Sequence, residues 1–324
     1  MNAPAPPRAA GRRTPSSLPL PTKDGVGPSC VALPPGPWTT ICDFLIDRFP
    51  AVSAATWQAR MQQGELVDEH AVAVTPDRPY RSGLRLYYYR SIPDEPRVPF
   101  DEAVLFQDEW LVVADKPHFL PVTPGGCYLQ ETLLVRLKRR LGIDTLAPLH
   151  RLDRETAGVV VFAVQPDTRG AYQALFAQRQ VTKHYEAIAP WRPELAFPMT
   201  HRSRLVQDDH FLRMREVPGE PNAETLIEML EVQGNFARYR LTPLTGRTHQ
   251  LRVHCAALGM PITGDRMYPT LLPADTDDHA KPLQLLARTI AFVDPVSGAE
   301  RLFDSARSLV TMSAGDTELC KGRS

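Results

Sequence analysis

LHRLDRETAGVVVFAV, residues 149–164, is the stretch on which both the fold and the chemistry of this chain turn. Its second half, VVVFAV, is apolar at every position and short, so it reads as a strand buried on both faces. Its first half sets one carboxylate, Asp153, between Arg151 and Arg154. Asp153 therefore stands at the lip of a core strand, partly dried and flanked by cations, a placement that suits a nucleophile better than a solvated surface charge. If the strand extends back this far, Asp153 and Glu155, two residues apart, point to the same side.

The bulk composition bounds what such a carboxylate can belong to. The chain has 324 residues, enough for one large or two smaller domains, and its 43% apolar content is that of a globular protein with a core. Lys+Arg and Asp+Glu are both 37, so net charge gives no argument for nucleic-acid binding. The distribution is less even: between Leu133 and His254 basic residues outnumber acidic ones 18 to 13, and six of the nine histidines fall there. That segment is mildly basic and compatible with RNA phosphates. The five cysteines are scattered, with no C-x-x-C pair, which reads as a reduced, cytoplasmic protein without a structural zinc site. No run approaches the ~18 apolar residues of a membrane span. Arg12-Arg13 is followed by TPSSLPLPTKDG where an export signal needs an apolar core.

Working outward, residues 1–37 hold ten of the 32 prolines and no apolar periodicity, and are expected to be a disordered Pro/Arg-rich tail. Residues 38–92 read as a small α/β module: TICDFLIDRF and SAATWQARMQQ as helices, then strand-like ELVDEHAVAV and LRLYYYR. SIPDEPRVP reads as a linker to a main domain over 93–306, with 307–324 as a C-terminal tail. Within the main domain ETLLVRLKRRL reads as a helix burying Leu133, Leu134, Leu137 and Leu141 and exposing Arg136, Lys138, Arg139 and Arg140. Strands and helices do not alternate regularly, so the fold class is α+β with a mixed, largely antiparallel sheet.

Two further stretches share the basic segment with Asp153. In VTKHYEAIA, alternation along a strand sends Lys183 and Tyr185 to one face and His184 and Glu186 to the other. In LTGRTHQLRVH, Gly246 supplies a turn and Thr248 is placed to cap a following helix, which holds Arg247 at the helix start; by themselves Arg247 and Arg252 read as surface residues. His249 and His254 are five apart, on different helix faces, and no Cys or carboxylate in the sequence pattern completes a set, so no metal is expected.

Taken in order, these motifs resemble the RluA-type pseudouridine synthases, whose signatures H-R-L-D-x-x-T-[S/A]-G, K-x-Y and G-R-[T/S]-H-Q-[I/L]-R-x-H fall on residues 150–158, 183–185 and 246–254; GMPITGDRMYP resembles a further, turn-rich family stretch. The resemblance spans about Val98 to Val296. It implies a pseudouridine synthase catalytic domain and isomerisation of a uridine in structured RNA, rRNA or tRNA, by a cytoplasmic monomer without cofactor or metal. It assigns Asp153, Tyr185 and Arg247 to catalysis, with Arg247 paired to Asp153 to keep the carboxylate charged, and Arg151, Lys183, His150 and Thr156 to substrate binding. The resemblance also implies that Arg151 takes part in flipping the base out of its stack. The small module resembles a ribosomal protein S-four type RNA-binding module, but its second helix offers chiefly Arg60, which leaves an RNA-binding and a purely structural role both open. Three positions depart from the family: Phe119 stands for Gly in KPHFL, implying a different loop backbone; Leu286 stands for His in LQLLA; and Ala157 stands for the motif's common Ser. A non-catalytic RNA-binding or RNA-chaperone protein on the same scaffold is the alternative. A glycoside hydrolase using Asp153 and Glu155 lacks a second pocket carboxylate.

Overall fold

The computed structural model describes residues 20–310 apart from 93 and 274–277, so most of the expected N-terminal tail and residues 311–324 lie outside the described residues. The chain divides into two compact units, Met1–Pro93 and Asp94–Ser324.

In the first unit strand β1 (Ser29–Ala32) precedes helices α1 (Ile41–Arg48) and α2 (Ala54–Gln62), and β2 (Leu66–Asp68) and β3 (Arg85–Tyr88) complete a three-stranded sheet in the order β1-β3-β2. The expected tail to residue 37 is thus too long: residues 29–32 alternate in burial and pair with β3, which apolar periodicity in so short a run could not reveal. Thr40 closes a capping box with Asp43, and Ser53 caps α2. Arg60 is buried; its guanidinium donates to Ser91 Oγ and lies over the Trp57 ring. The basic residue that α2 offered to RNA is used inside the unit.

The second unit is built on an 11-stranded sheet: β4 (Ala103–Gln107), β5 (Leu111–Lys116), β6 (Ala147–Pro148), β7 (Ala157–Ala163), β8 (Thr182–Pro190), β9 (Met199–Gln207), β10 (Met214–Val217), β11 (Ala223–Gln233), β12 (Phe236–Pro243), β13 (Leu285–Val293) and β14 (Glu300–Asp304). The main path runs β10-β9-β11-β12-β8-β13-β7-β5-β4, with β6 on β7 and β14 on β13. Helices α3 (Leu133–Leu141), α4 (Pro166–Ala177) and α5 (Gln250–Ala257) accompany it. The fold is mixed α+β and, as expected, largely antiparallel; among the described residues the one parallel strand pairing is β13 with β7. β7 is buried at every residue, because core clusters press on it from both faces: Val160 and Phe162 on one, Val159 and Val161 on the other.

Several local expectations change. The expected linker ends inside the second unit, where the Glu95 carboxylate accepts from the backbone of Leu129, Gln130 and Glu131. The expected C-terminal tail starts too early: Arg307 pairs with Asp115 at 3.4 Å and donates to the Asp101 carbonyl. Arg136 is not on an exposed face of α3; it is held by Glu102, Glu131 and the carbonyls of Val98 and Phe100. Phe119 keeps a glycine-type backbone, φ +66°, instead of forcing another one, and its ring is buried against Phe100 and His279. No helix among the described residues is long and apolar enough to cross a membrane.

Gly158 marks where β7 meets β13 most closely. Its φ is +114°, and an added Cβ would lie 2.2 Å from the Ala287 carbonyl oxygen. Gly158→Ala is therefore expected to destabilise the protein by about 3 kcal/mol, as strain and overlap with backbone add, read as a lower urea midpoint with unchanged slope.

Candidate active site

Asp153 lies just before β7, in a turn closed by the Thr156 amide donating to the Asp153 carbonyl at 3.2 Å. The stretch is not yet a strand, so the two-residue alternation expected for Asp153 and Glu155 does not apply. Both carboxylates face one cation nevertheless: Arg252 Nη1 is 3.3 Å from Asp153 Oδ2 and 3.7 Å from Glu155 Oε2. Arg252 itself, 1% exposed, is clamped by Asp265, with Nε and Nη2 donating to the two carboxylate oxygens at 2.8 and 2.7 Å. Such paired, charge-assisted bonds fix the guanidinium plane. Among the three carboxylates side-chain exposure rises from 0% at Asp265 through 14% at Glu155 to 28% at Asp153. Asp153 alone retains a substantial opening.

The opening leads into a cavity of about 770 Å³ lined by Asp153, Tyr185, Arg151, Lys183, Arg179 and Arg247 among others. Tyr185 and Lys183 share a face of β8 as the alternation predicts, while Glu186 turns away to pair with Arg288. Burial, and then the Asp153 charge, push the Tyr185 phenol well above its usual pKa, so it stands protonated. Burial lowers the Lys183 ammonium below its usual value.

A family model described as RNA pseudouridylate synthase matches residues 110–257. An uncharacterized RNA pseudouridine synthase of Synechocystis is 31% identical over 229 residues, spanning 70% of this chain and 78% of the relative. The dual-specificity RNA pseudouridine synthase RluA of Haemophilus influenzae is 31% identical over 210 residues, 62% of this chain and 91% of its own. The chain belongs to the RluA-type RNA pseudouridine synthase family. It is accordingly an RNA pseudouridine synthase, an isomerase. The solved structure of human RNA pseudouridylate synthase domain containing 1 shares the fold, with a TM-score of 0.54 at 24% identity over 66% of this chain and 86% of its own.

The pairing expected between Arg247 and Asp153 does not form in the synthase. Arg247 is exposed; its Nε donates to the Asn222 carbonyl at 3.1 Å, and Arg252, expected at the surface, takes its place. The reason lies two residues downstream of Arg247. His249 adopts a left-handed conformation, φ +53°, so α5 begins at Gln250, and Thr248 lies too early to cap it. Gln250 Oε1 instead accepts from the Arg247 amide and the Thr245 hydroxyl. A non-glycine residue at positive φ beside a reacting group is a recurrent sign of a functional constraint. Here the conformation accompanies His249 Nε2 at 3.8 Å from Asp153 Oδ1 and Nδ1 at 3.0 Å from the Tyr268 hydroxyl.

Of the residues assigned to substrate, Arg151 and Lys183 line the cavity and make no ion pair among the described residues. His150 is already engaged: its Nε2 accepts from the Val161 amide and its ring stacks on Phe176. Thr156 is buried, and both it and His150 also line the cavity. Residues not singled out for the site include Asp265, far along the sequence in a stretch that read as structural, and Arg179, whose positive φ of +58° only the structure shows. Lys116 is another. Fully buried, it donates to the carbonyls of Pro117, Leu120 and Arg154, and burial brings its ammonium down to about 7. It ties the KPHFL loop to the turn carrying Asp153. Glu155 is pushed up by burial, but Arg252 and Arg154 outweigh that and hold it ionised, the opposite of what a glycosidase general acid requires.

Arg252→Ala should cost about 3–5 kcal/mol, because Asp265 would be left buried and unpaired, and should abolish turnover. Arg247→Ala should leave stability within about 0.5 kcal/mol while weakening RNA binding and lowering its salt slope by about 1. Urea melts and salt-dependent binding separate the two arginines.

Buried imidazoles also set an acid limit. His118 Nδ1–H donates to the Glu155 carbonyl; burial lowers it to about 4, His150 to about 3 and His254 to about 4. Their folded pKa values lie below the unfolded value of ~6.5, so the unfolded chain binds more protons and stability falls as pH drops from about 6.5 towards 4. Near pH 5 the three should together take up about three protons on unfolding, and His118→Gln should remove about one, measured from the pH dependence of unfolding free energy.

Proposed function

We propose that this synthase converts a specific uridine in a structured RNA, rRNA or tRNA, to pseudouridine, with Asp153 acting on the ribose after the base has left its stack. The observation that carries the reading is the graded exposure around Arg252. One arginine orients three carboxylates, its shortest bonds go to Asp265, and Asp153 remains at a longer 3.3 Å with an open side towards the cavity. It is oriented without being fully neutralised, which suits either attack on C1′ or removal of the 2′ proton.

The isomerisation breaks C1′–N1, turns the uracil and bonds C1′ to C5; N1 ends with a proton and C5 loses one, so atoms balance without a cofactor. Flipping the base costs a few kcal/mol, which an aromatic platform and a cation entering the vacated stack offset. Tyr185 offers the platform and Arg151, exposed at the lip, the cation. Because the Tyr185 phenol is held protonated, it does not serve as a resting base. It takes the C5 proton while passing its own to the Asp153 carboxylate, free again by then; Asp153 gives that proton up to solvent as N1 gains one, which restores the carboxylate. Lys183, Arg179 and Arg247 line the same cavity and supply cations for phosphates flanking the flipped nucleotide.

Pseudouridine maps of cellular rRNA and tRNA from wild-type, deletion and Asp153→Asn strains test the activity: at least one site should vanish from both altered strains, and identical maps in all three would overturn it. In vitro, Tyr185→Phe should keep RNA affinity and lower turnover by roughly 10²–10⁴; wild-type turnover in that variant would reduce Tyr185 to a packing role.

A further inference from the structure

Within the second unit, away from Asp153, three metal-binding side chain types from three elements converge: His201 on β9, Glu216 on β10 and His254 on α5, with one ligand-capable atom of each within 4.8 Å of the others. The helix pattern alone offered no third ligand to His254, because both partners come from a hairpin about forty to fifty residues earlier. We propose that His201, Glu216 and His254 bind one divalent transition-metal ion, of the zinc class, that clasps the β9–β10 hairpin to the helix carrying Arg252.

Four observations support the site. His201 Nε2 and Glu216 Oε1 lie 2.9 Å apart, and the two imidazole rings meet edge to face with centroids 4.8 Å apart, so two nitrogen donors and one carboxylate share a small volume. Hydrogen bonds satisfy the groups separately, His201 with Glu216 and His254 with Thr225 and Ser203; one shared ion would use both imidazoles and the carboxylate together. His254 is fully buried and its Nδ1 meets Thr225 Oγ1 at 2.9 Å, while Thr225 also accepts from Gln250 Nε2. With Nδ1–H donated to Thr225, the Nε2 lone pair is turned towards the cluster, the outer-sphere arrangement usual for a metal-binding histidine. Burial and the neighbouring His201 keep His254 uncharged at neutral pH, as a ligand must be. Finally, the site has an entry and a fourth position. His201 and Glu216 side chains are 20% and 26% exposed, and Ser203 Oγ, 3.2 Å from His254 Nε2, can hold a water or complete the set. Two imidazoles and one carboxylate suit zinc, copper or nickel and disfavour magnesium or calcium. Thr225 is the cross-strand partner of His201, so the ligands rest on paired strands.

The inference is independent of the reaction assigned to Asp153. Untagged full-length protein, dialysed against chelator, is titrated with Zn²⁺ by calorimetry and with Co²⁺ by visible absorption. One equivalent should bind with a Kd of about 1 µM or tighter, and saturating Zn²⁺ should raise the melting temperature. His201→Ala and Glu216→Gln, both at partly exposed positions, should each weaken binding by at least ~10-fold and remove the thermal shift. Both variants retain the exposed thiols of Cys30 and Cys127, so metal held by cysteine would survive them. Absence of saturable binding below ~100 µM, or binding that either variant leaves unchanged, would overturn the proposal.

Discussion

The buried clamp between Asp265 and Arg252 is the interaction on which the site depends. A guanidinium 1% exposed would be costly without a partner, and a single carboxylate held to it by two short bonds both offsets that cost and fixes its plane. Its remaining edge then faces Asp153 and Glu155 from a set direction. Around it the support is layered: Lys116 holds the Asp153 turn from below through the Arg154 carbonyl, His249 approaches the other carboxylate oxygen, and Tyr268 joins His249 to the segment carrying Asp265. Asp153 is thus the most weakly held member of a cluster whose other members are locked.

How much of this was legible in the sequence follows from the range of the signals. β7 and the placement of Asp153 at its mouth came from a short apolar run beside a charge, and the common face of Lys183 and Tyr185 came from strand alternation; both are local and both hold. The exchange of Arg247 for Arg252 was not legible, since it depends on one backbone angle at His249 that sets where α5 begins. Asp265 was not legible either: it lies 112 positions after Asp153, in a stretch of turns with no periodicity, and only the closed fold brings the two to one arginine. Arg136 and Arg60 show the same limit from the other side. Helical spacing marked Arg136 as solvent-facing and the resemblance offered Arg60 to RNA, whereas carbonyls and carboxylates draw Arg136 inward and the Ser91 hydroxyl and the Trp57 ring draw in Arg60.

The departures from the family pattern also become intelligible in register. Leu286 and Ala157 are direct partners across the parallel β13–β7 pair, both buried. Replacing a polar residue on one side alone would strand a buried hydrogen-bonding group; with both positions apolar none is stranded. Phe119 follows a related logic, as the ring fills the space beside Phe100 and His279 and so offsets the strain of its backbone.

The position of β13 carries a consequence for biosynthesis. β7, which follows Asp153, and β8, which bears Tyr185, are consecutive strands, yet they are not neighbours; β13, starting at Leu285, lies between them. The two halves of the site therefore acquire their final spacing only when a strand made well after both slides into the gap. A nascent chain ending before that strand has every residue assigned to the chemistry and still no assembled pocket. Assembly of the pocket thus waits on β13, well after the residues it brings together have been made.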